Sequence, residues 1–170
     1  MKRSLLLIVL SICTLANASA QIDIATARGM SLGSTVTIKG IITNGNELGV
    51  IRYIQDLTGG IAIYDVGLSA VNRGDSLLIT GDLSDFNNLL EIDAASHTVL
   101  STGNTLPAPQ IITPLQMSES VESELVQIDN VVFDNGGATF TGNTNYGFVS
   151  GGETGEIRIT GGTDIEGTLI

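Results

Sequence analysis

The sequence predicts an all-β protein: a small five-stranded barrel followed by a second, incomplete β module. Three observations carry that expectation. Beyond the first twenty residues almost no stretch spaces its apolar residues as a helix would, whereas short β-branched runs recur along the chain. Turn-prone clusters such as Thr43-Asn44-Gly45-Asn46 and Asp56-Leu57-Thr58-Gly59-Gly60 separate those runs. Their order, three runs close together, a connector, then two more within about 60 residues, suits a small barrel.

The N-terminus reads as an address. Lys2 and Arg3 precede the apolar run Leu5 to Ile12, and Ala18-Ser19-Ala20 offers a small-x-small cleavage pattern, so residues 1–20 form a signal peptide and the mature chain is secreted or held at the cell surface. The run is far shorter than the roughly 20 residues of a membrane span, and no later segment comes close. Cys13, the one cysteine, raises a lipoprotein signal as a competing reading; such signals place a small residue before the cysteine, and Ile12 stands there. Cleavage after Ala20 leaves no thiol, so stability must come from the core.

The first barrel strand is Thr35 to Ile42, with Val36, Ile38 and Ile42 on one side and Thr35, Thr37 and Lys39 on the other. Val50 to Gln55 is the second. Thr58-Gly59-Gly60 is expected to reverse the chain through positive φ into a third strand, Ile61 to Tyr64, with Asp56 at the mouth accepting hydrogen bonds from turn N–H groups. Val66 to Asn72 is a connector of weak helical character. Ser76 to Leu83 is the fourth strand, where Gly81 marks a bulge or bend. Asp82 to Asn88 reads as a loop, Leu89 to Asp93 as the fifth strand and His97 to Ser101 as an added edge strand. The barrel is therefore placed at residues 30–101.

Residues 102–116 read as a linker, because the alternating prolines of Leu106-Pro107-Ala108-Pro109 favour extended backbone outside any ladder. In residues 117–170, after a helical turn or two in Leu115 to Glu122, strands are expected at Leu125 to Phe133, Ala138 to Phe140, Tyr146 to Val149 and Glu156 to Thr160. Some 50 residues are few for an independent core. The apolar end Gly167-Thr168-Leu169-Ile170 suggests a module whose last strands lie beyond residue 170.

From Gly33 to Ile92 the chain resembles the OB-like domains of secreted, multidomain bacterial proteins, some of them extracellular nucleases. The matching features are Val36-x-Ile-x-Gly-Ile, Tyr53-Ile54-Gln55-Asp56 followed by Thr58-Gly59-Gly60-Ile61-x-Ile-Tyr, Gly74-Asp75-x-Leu-x-Ile-x-Gly81, and Leu90-Glu91-Ile92. The resemblance implies an OB-like Greek-key barrel. The run Glu122 to Val131 is similar to the opening of a second such module in tandem, which departs from the pattern by ending before any Gly-Asp-x-Val-x-Ile-x-Gly counterpart. Neighbouring domains of a longer chain are expected, since such proteins often carry a catalytic or sorting domain farther along.

The formal charge is −11, and losing residues 1–20 removes Lys2 and Arg3 but no acid, leaving −13. That speaks against a nonspecific grip on phosphate backbones. With 42% hydrophobic residues in ordered alternation, the charge belongs to a solubilising surface rather than a disordered chain. Asp82, Asp85, Glu91 and Asp93 gather in sequence, and calcium takes carboxylate oxygens. Their spacing matches no EF-hand loop, so they read as an acidic solvated loop, with Asp82 and Asp85 the ligands a cation would use. His97 is the single histidine, and no Gly-x-Ser-x-Gly elbow accompanies it, so no enzyme and no cofactor are expected.

OB barrels bind oligonucleotides or oligosaccharides on the face of strands two and three. Tyr53 and Tyr64 fall on the parity opposite to Ile54, Ile61 and Ile63, so they either form a small stacking platform near Lys39 or cap the barrel core, Arg52 sharing the parity of Ile54. The sequence thus leads to a noncatalytic accessory binding or spacer module, with an oligosaccharide or single-stranded nucleic acid as partner. The alternative is a nucleic-acid-binding module supporting an extracellular nuclease.

Overall fold

The structure, a computed structural model, describes residues 20–170. The rest of the signal-like segment, with Cys13, lies outside the described residues. Strand β1 (Gln21–Ile22) runs parallel to β2 (Thr35–Ile42), Gln21 opposite Thr37. Between them Asp23 ends the strand and caps helix α1 (Ile24–Arg28), its Oδ1 accepting from the Thr26 N–H at 2.7 Å. Ile24 and Ala27, three residues apart on one helix face, are fully buried in the barrel. The barrel unit thus begins earlier than residue 30. A five-residue helix is too short for its periodicity to register in sequence, and the Asp23 cap was the only signal.

The barrel continues through β3 (Ile51–Gln55), β4 (Gly60–Tyr64), β5 (Ser76–Phe86) and β6 (Leu89–Ser101). Its order is β2-β3-β4-β6-β5, closed by β5 pairing back onto β2 from Thr35↔Asp82 to Ile41↔Ser76. All these pairs are antiparallel except β4–β6. This is the five-stranded Greek-key barrel of the OB-like architecture. Ile38, Ile42, Ile54, Ile61, Ile63, Leu77, Ile79 and Ile92 fill the interior without exposure. Each such burial is worth about 1.5–3 kcal/mol, so this cluster dominates the stability of the molecule. Helix α1 closes one end of the barrel. Leu68 and Val71, in and after the 3-10 turn Val66–Ala70, close the other.

Several local expectations need correction. Gly59 and Gly60 do not adopt positive φ; the Asp56 carboxylate shapes the turn instead, its Oδ1 accepting from the Thr58 N–H at 2.7 Å, the Thr58 hydroxyl at 2.6 Å and the Gly59 N–H at 3.1 Å. The same side chain accepts from the Ile24 N–H at 3.0 Å, and Thr58 Oγ1 from the Ala25 N–H at 3.1 Å, so the hairpin satisfies the free donors of α1. The loop expected over Asp82 to Asn88 is only Asn87-Asn88, with φ of 55° and 67°. Asparagine tolerates that left-handed pair, which makes a two-residue hairpin turn. The fifth strand and the added edge strand are one strand of 13 residues, His97 pairing with Ile79. The bulge expected at Gly81 is present between Thr80 and Gly81, where a Cβ would collide with the Asp93 carbonyl.

Leu106 to Pro109 joins no ladder, as expected, but the rest of the proposed linker is structured. Strand β7 (Gln110–Ile111) pairs in parallel with β8 (Val126–Gln127), and 3-10 turns occupy Pro114–Gln116 and Glu119–Val121. Strands β9 (Val132–Phe133), β10 (Thr144–Ser150) and β11 (Glu153–Ile159) form a separate antiparallel sheet. The strand expected over Leu125 to Phe133 is thus two short pieces, and Ala138 to Phe140 contributes a single bridge, Thr139 to Leu169. Phe140, Tyr146 and Ile159 make a small second core on which Phe133, Ile165 and Ile170 pack. The Ile170 N–H donates to the Ala138 carbonyl at 2.8 Å and Ile170 packs on that core, while Leu169 is 74% exposed. Among the described residues no helix is long and apolar enough to cross a membrane.

Candidate ligand-binding face

Strand alternation sets what the barrel shows outside. On β3 and β4, Ile54, Ile61 and Ile63 point inward, which leaves Tyr53, Gln55, Gly60, Ala62 and Tyr64 on the outer face. Tyr53 lies opposite Ala62 and Tyr64 opposite Ile51, so the two tyrosines are diagonal neighbours outside the core cluster. Tyr53 is half-buried and Tyr64 is 41% exposed. Lys39 is not brought to them. It stands on β2 opposite Leu78 and borders a different groove of about 630 Å³, with Ile22, Leu57, Leu106 and Pro107.

Arg52 takes the inward parity that its position beside Ile54 implied, and its guanidinium is buried with it. It donates to the carbonyls of Gly49 at 2.7 Å, Ile51 at 3.1 Å, Leu68 at 3.1 Å and Val71 at 3.4 Å, tying the 3-10 turn to the barrel end. Desolvation lowers its pKa, the Glu47 carboxylate opposing the shift. A residue that sequence counts among the basic supply is therefore a structural plug.

Tyr53 forms part of a hollow of about 350 Å³ between the β2–β3 loop, Leu89 and the segment Glu122–Leu125. Asn44 shapes the loop: its Nδ2 donates to Gly45 O at 3.1 Å and Ile51 O at 3.0 Å, and its Oδ1 accepts from the Tyr53 N–H at 2.6 Å. Phe86, opposite Leu89 across the Asn87-Asn88 turn, is 63% exposed. The segment after the linker crosses the same face. Leu125 donates its N–H to Gln55 Oε1 at 3.0 Å, and a Cβ on Gly60 would collide with the Ser123 carbonyl. Arg28 clasps the segment: Nη1 donates to Gly60 O at 3.1 Å, and Nη2 to Glu119 O at 3.1 Å and Glu122 Oε2 at 3.2 Å.

The electrostatics of the face are acidic. Glu91 lies opposite Ala62 and is 7% exposed, with its Oε2 unpartnered. Burial pushes its carboxyl pKa up, the Asp93 and Asp85 carboxylates add to the shift, and the Ser84 hydroxyl opposes it. Burial, then Glu122 and Glu91, push the Tyr53 phenol up. Of the barrel's cations Arg28 is engaged with the segment and Arg52 is inside. Lys39 and Arg73 do not line the hollow.

Asp82 and Asp85 sit on β5 rather than in a loop, three residues apart and so on opposite faces. Asp82 accepts from the Thr35 hydroxyl at 2.5 Å and Asp85 from the Asn88 N–H at 3.2 Å. Among the described residues no cluster of three or more His, Cys, Asp or Glu is placed to hold a metal. His97 Nδ1 lies 3.1 Å from Asp65 Oδ2, and Asp65 also caps the 3-10 turn by accepting from the Gly67 N–H at 2.6 Å. Sequence reasoning missed Phe86, Leu89, Arg28 and the crossing segment. An aromatic inside the otherwise polar Ser84-Asp85-Phe86-Asn87-Asn88 was the one available signal.

No protein-family model matches the chain, and no curated protein sequence is significantly similar to it. Among solved structures, the hypothetical protein ygiW from E. coli is 19% identical with a TM-score of 0.42, over 48% of this chain and 91% of that one. A provisionally named aspartyl-tRNA synthetase from Leishmania major Friedlin is 11% identical with a TM-score of 0.43, over 61% of this chain and 25% of that one. At these scores neither likeness bears on function, and the barrel assignment stands on strand order and register.

Proposed function

We propose that the chain is a noncatalytic accessory binding module of an exported protein, and that it takes an oligosaccharide on the outer face of β3–β4. One observation carries the reading: Tyr53 stands half-buried in a hollow walled by Glu122 and Glu124, with no uncommitted cation beside it. An aromatic face gives a sugar ring an apolar plate, and carboxylates accept hydrogen bonds from its hydroxyls. Nucleic acid calls for the reverse, with Lys and Arg along the backbone path. Exposed Tyr64 and Phe86 add aromatic surface around the hollow. β3 and β4 are the second and third barrel strands, where OB barrels take such ligands. Export is supported by the N-terminal pattern alone. The noncatalytic reading is supported by how the candidate groups are used, His97 by Asp65 and Asp82 by Thr35.

The test is a titration of residues 21–170 with cello-, laminari- and xylo-oligosaccharides and, at low salt, with single-stranded DNA, followed by tyrosine fluorescence. We expect saturable saccharide binding that weakens about tenfold or more in Tyr53→Ala, the loss of ~1.4 kcal/mol of stacking. Salt-sensitive DNA binding lost in the same variant would replace this reading with the nuclease-accessory one. Binding of neither would leave a spacer.

A further inference from the structure

Glu119–Leu125 lies on the barrel without being part of it. None of its residues is fully buried. Its hold consists of the Arg28 clasp, the Leu125 to Gln55 hydrogen bond and the approach of Ser123 to Gly60. Closure also carries local costs. Ser123 adopts a φ of 66°, unfavourable for a residue with a Cβ, and its hydroxyl is buried without a partner, as is Glu91 Oε2 on the face beside it. The two flanks of the excursion are tied at their base by the parallel pair β7–β8, Gln110 opposite Val126.

We propose that Glu119–Leu125 is a releasable strap. Clasped by Arg28, it covers Gly60 and flanks Tyr53; released, it bares the whole outer face of β3–β4, while β7–β8 keeps it tethered. The inference rests on the reading of that face as the ligand site, for it supplies the regulation of that site. A saccharide held between Tyr53, Glu122 and Glu124 needs the strap in place, so its apparent affinity is scaled by the fraction of molecules in which the strap is closed, and any change that loosens the clasp lowers it. The hold is charge-assisted, and its Arg28–Glu119 pair at 3.7 Å is open to solvent, Glu119 being 79% exposed at its side chain, so salt favours release.

Two variants act on the strap by different routes. Arg28→Gln removes the charge of the clasp. Gly60→Ala introduces a methyl group whose three nearest neighbours, Ser123 O, Ser123 C and Glu124 Cγ, all belong to the strap, at a position whose φ an alanine accepts. Hydrogen exchange of residues 21–170, read by mass spectrometry without any added ligand, is the measurement. We expect strap amides to exchange about tenfold faster in both variants while the β2–β5 ladder is unchanged. In the wild type, strap exchange rises from about 0.05 to about 0.5 M salt, and this dependence is lost in Arg28→Gln. Unchanged strap exchange in both variants overturns the proposal. So does equal acceleration in strap and ladder, which would make the segment an integral part of the barrel. Because no saccharide is present, failure of oligosaccharide binding sinks the site reading alone, and unaltered exchange sinks the strap alone.

Discussion

Glu91 shows how a single side chain can tie stability to pH. Its carboxyl is held above its usual range by burial and by Asp93, so over the window between the usual and the raised value the folded chain keeps a proton that the unfolded chain has released. Stability from this group is therefore full at low pH and is lost as pH rises through that window. We predict that Glu91→Gln unfolds at higher urea than the wild type at pH 7, the difference shrinking as pH falls through the ordinary glutamate range. Urea midpoints across a pH series check it; a difference constant with pH would count against the assignment. Residues of this kind were only half legible in sequence. Alternation left Tyr53 open between an outward platform and a cap on the core, and the acidic cluster placed Glu91 in a solvated loop, whereas Glu91 lies buried on β6 and Tyr53 is half-buried beside a segment that arrives from far along the chain. Arg52 shares the parity of Ile54 and lies in the core with it, its charge notwithstanding.

At the level of elements, strands were readable because one wet face and one dry face leave a period of two in the sequence. Their lengths were less so. β5 and β6 run farther than expected, since Asn87-Asn88 makes the turn in two residues and the polar residues around it stay in the ladder. Helix α1 left too little periodicity to be seen, and its stability comes from acceptors outside it. Asp56, 32 residues later, serves the hairpin and the helix together. We predict that Asp56→Ala costs about 1–2 kcal/mol, measured by urea unfolding, and that Asp56→Asn, which keeps one acceptor oxygen, costs less. A neutral Asp56→Ala would mean that water replaces the carboxylate at both sites.

Across the whole molecule, burial is unevenly shared. The barrel cluster joins 14 buried residues, the C-terminal one Phe140, Tyr146 and Ile159. Phe140 meets Phe133 and Tyr146 edge to face at centroid distances of 5.2 and 4.9 Å. We predict that Phe140→Ala, a loss of about 3–5 kcal/mol, unfolds the C-terminal part while the barrel stays folded, seen as two transitions by hydrogen exchange across β10 and β5. One joint transition would show that the two parts depend on each other. The closure of β2 on β5 also governs the order in which this chain can assemble. Thr35 and Asp82 are 47 residues apart, and contacts so distant in sequence make folding slow, in the range of milliseconds to seconds. A chain emerging N-terminus first carries Val36, Ile38 and Ile42 into water well before Leu77 and Ile79 arrive to cover them. During that interval the apolar face of β2 is open to chaperones, and to misassociation with other nascent chains.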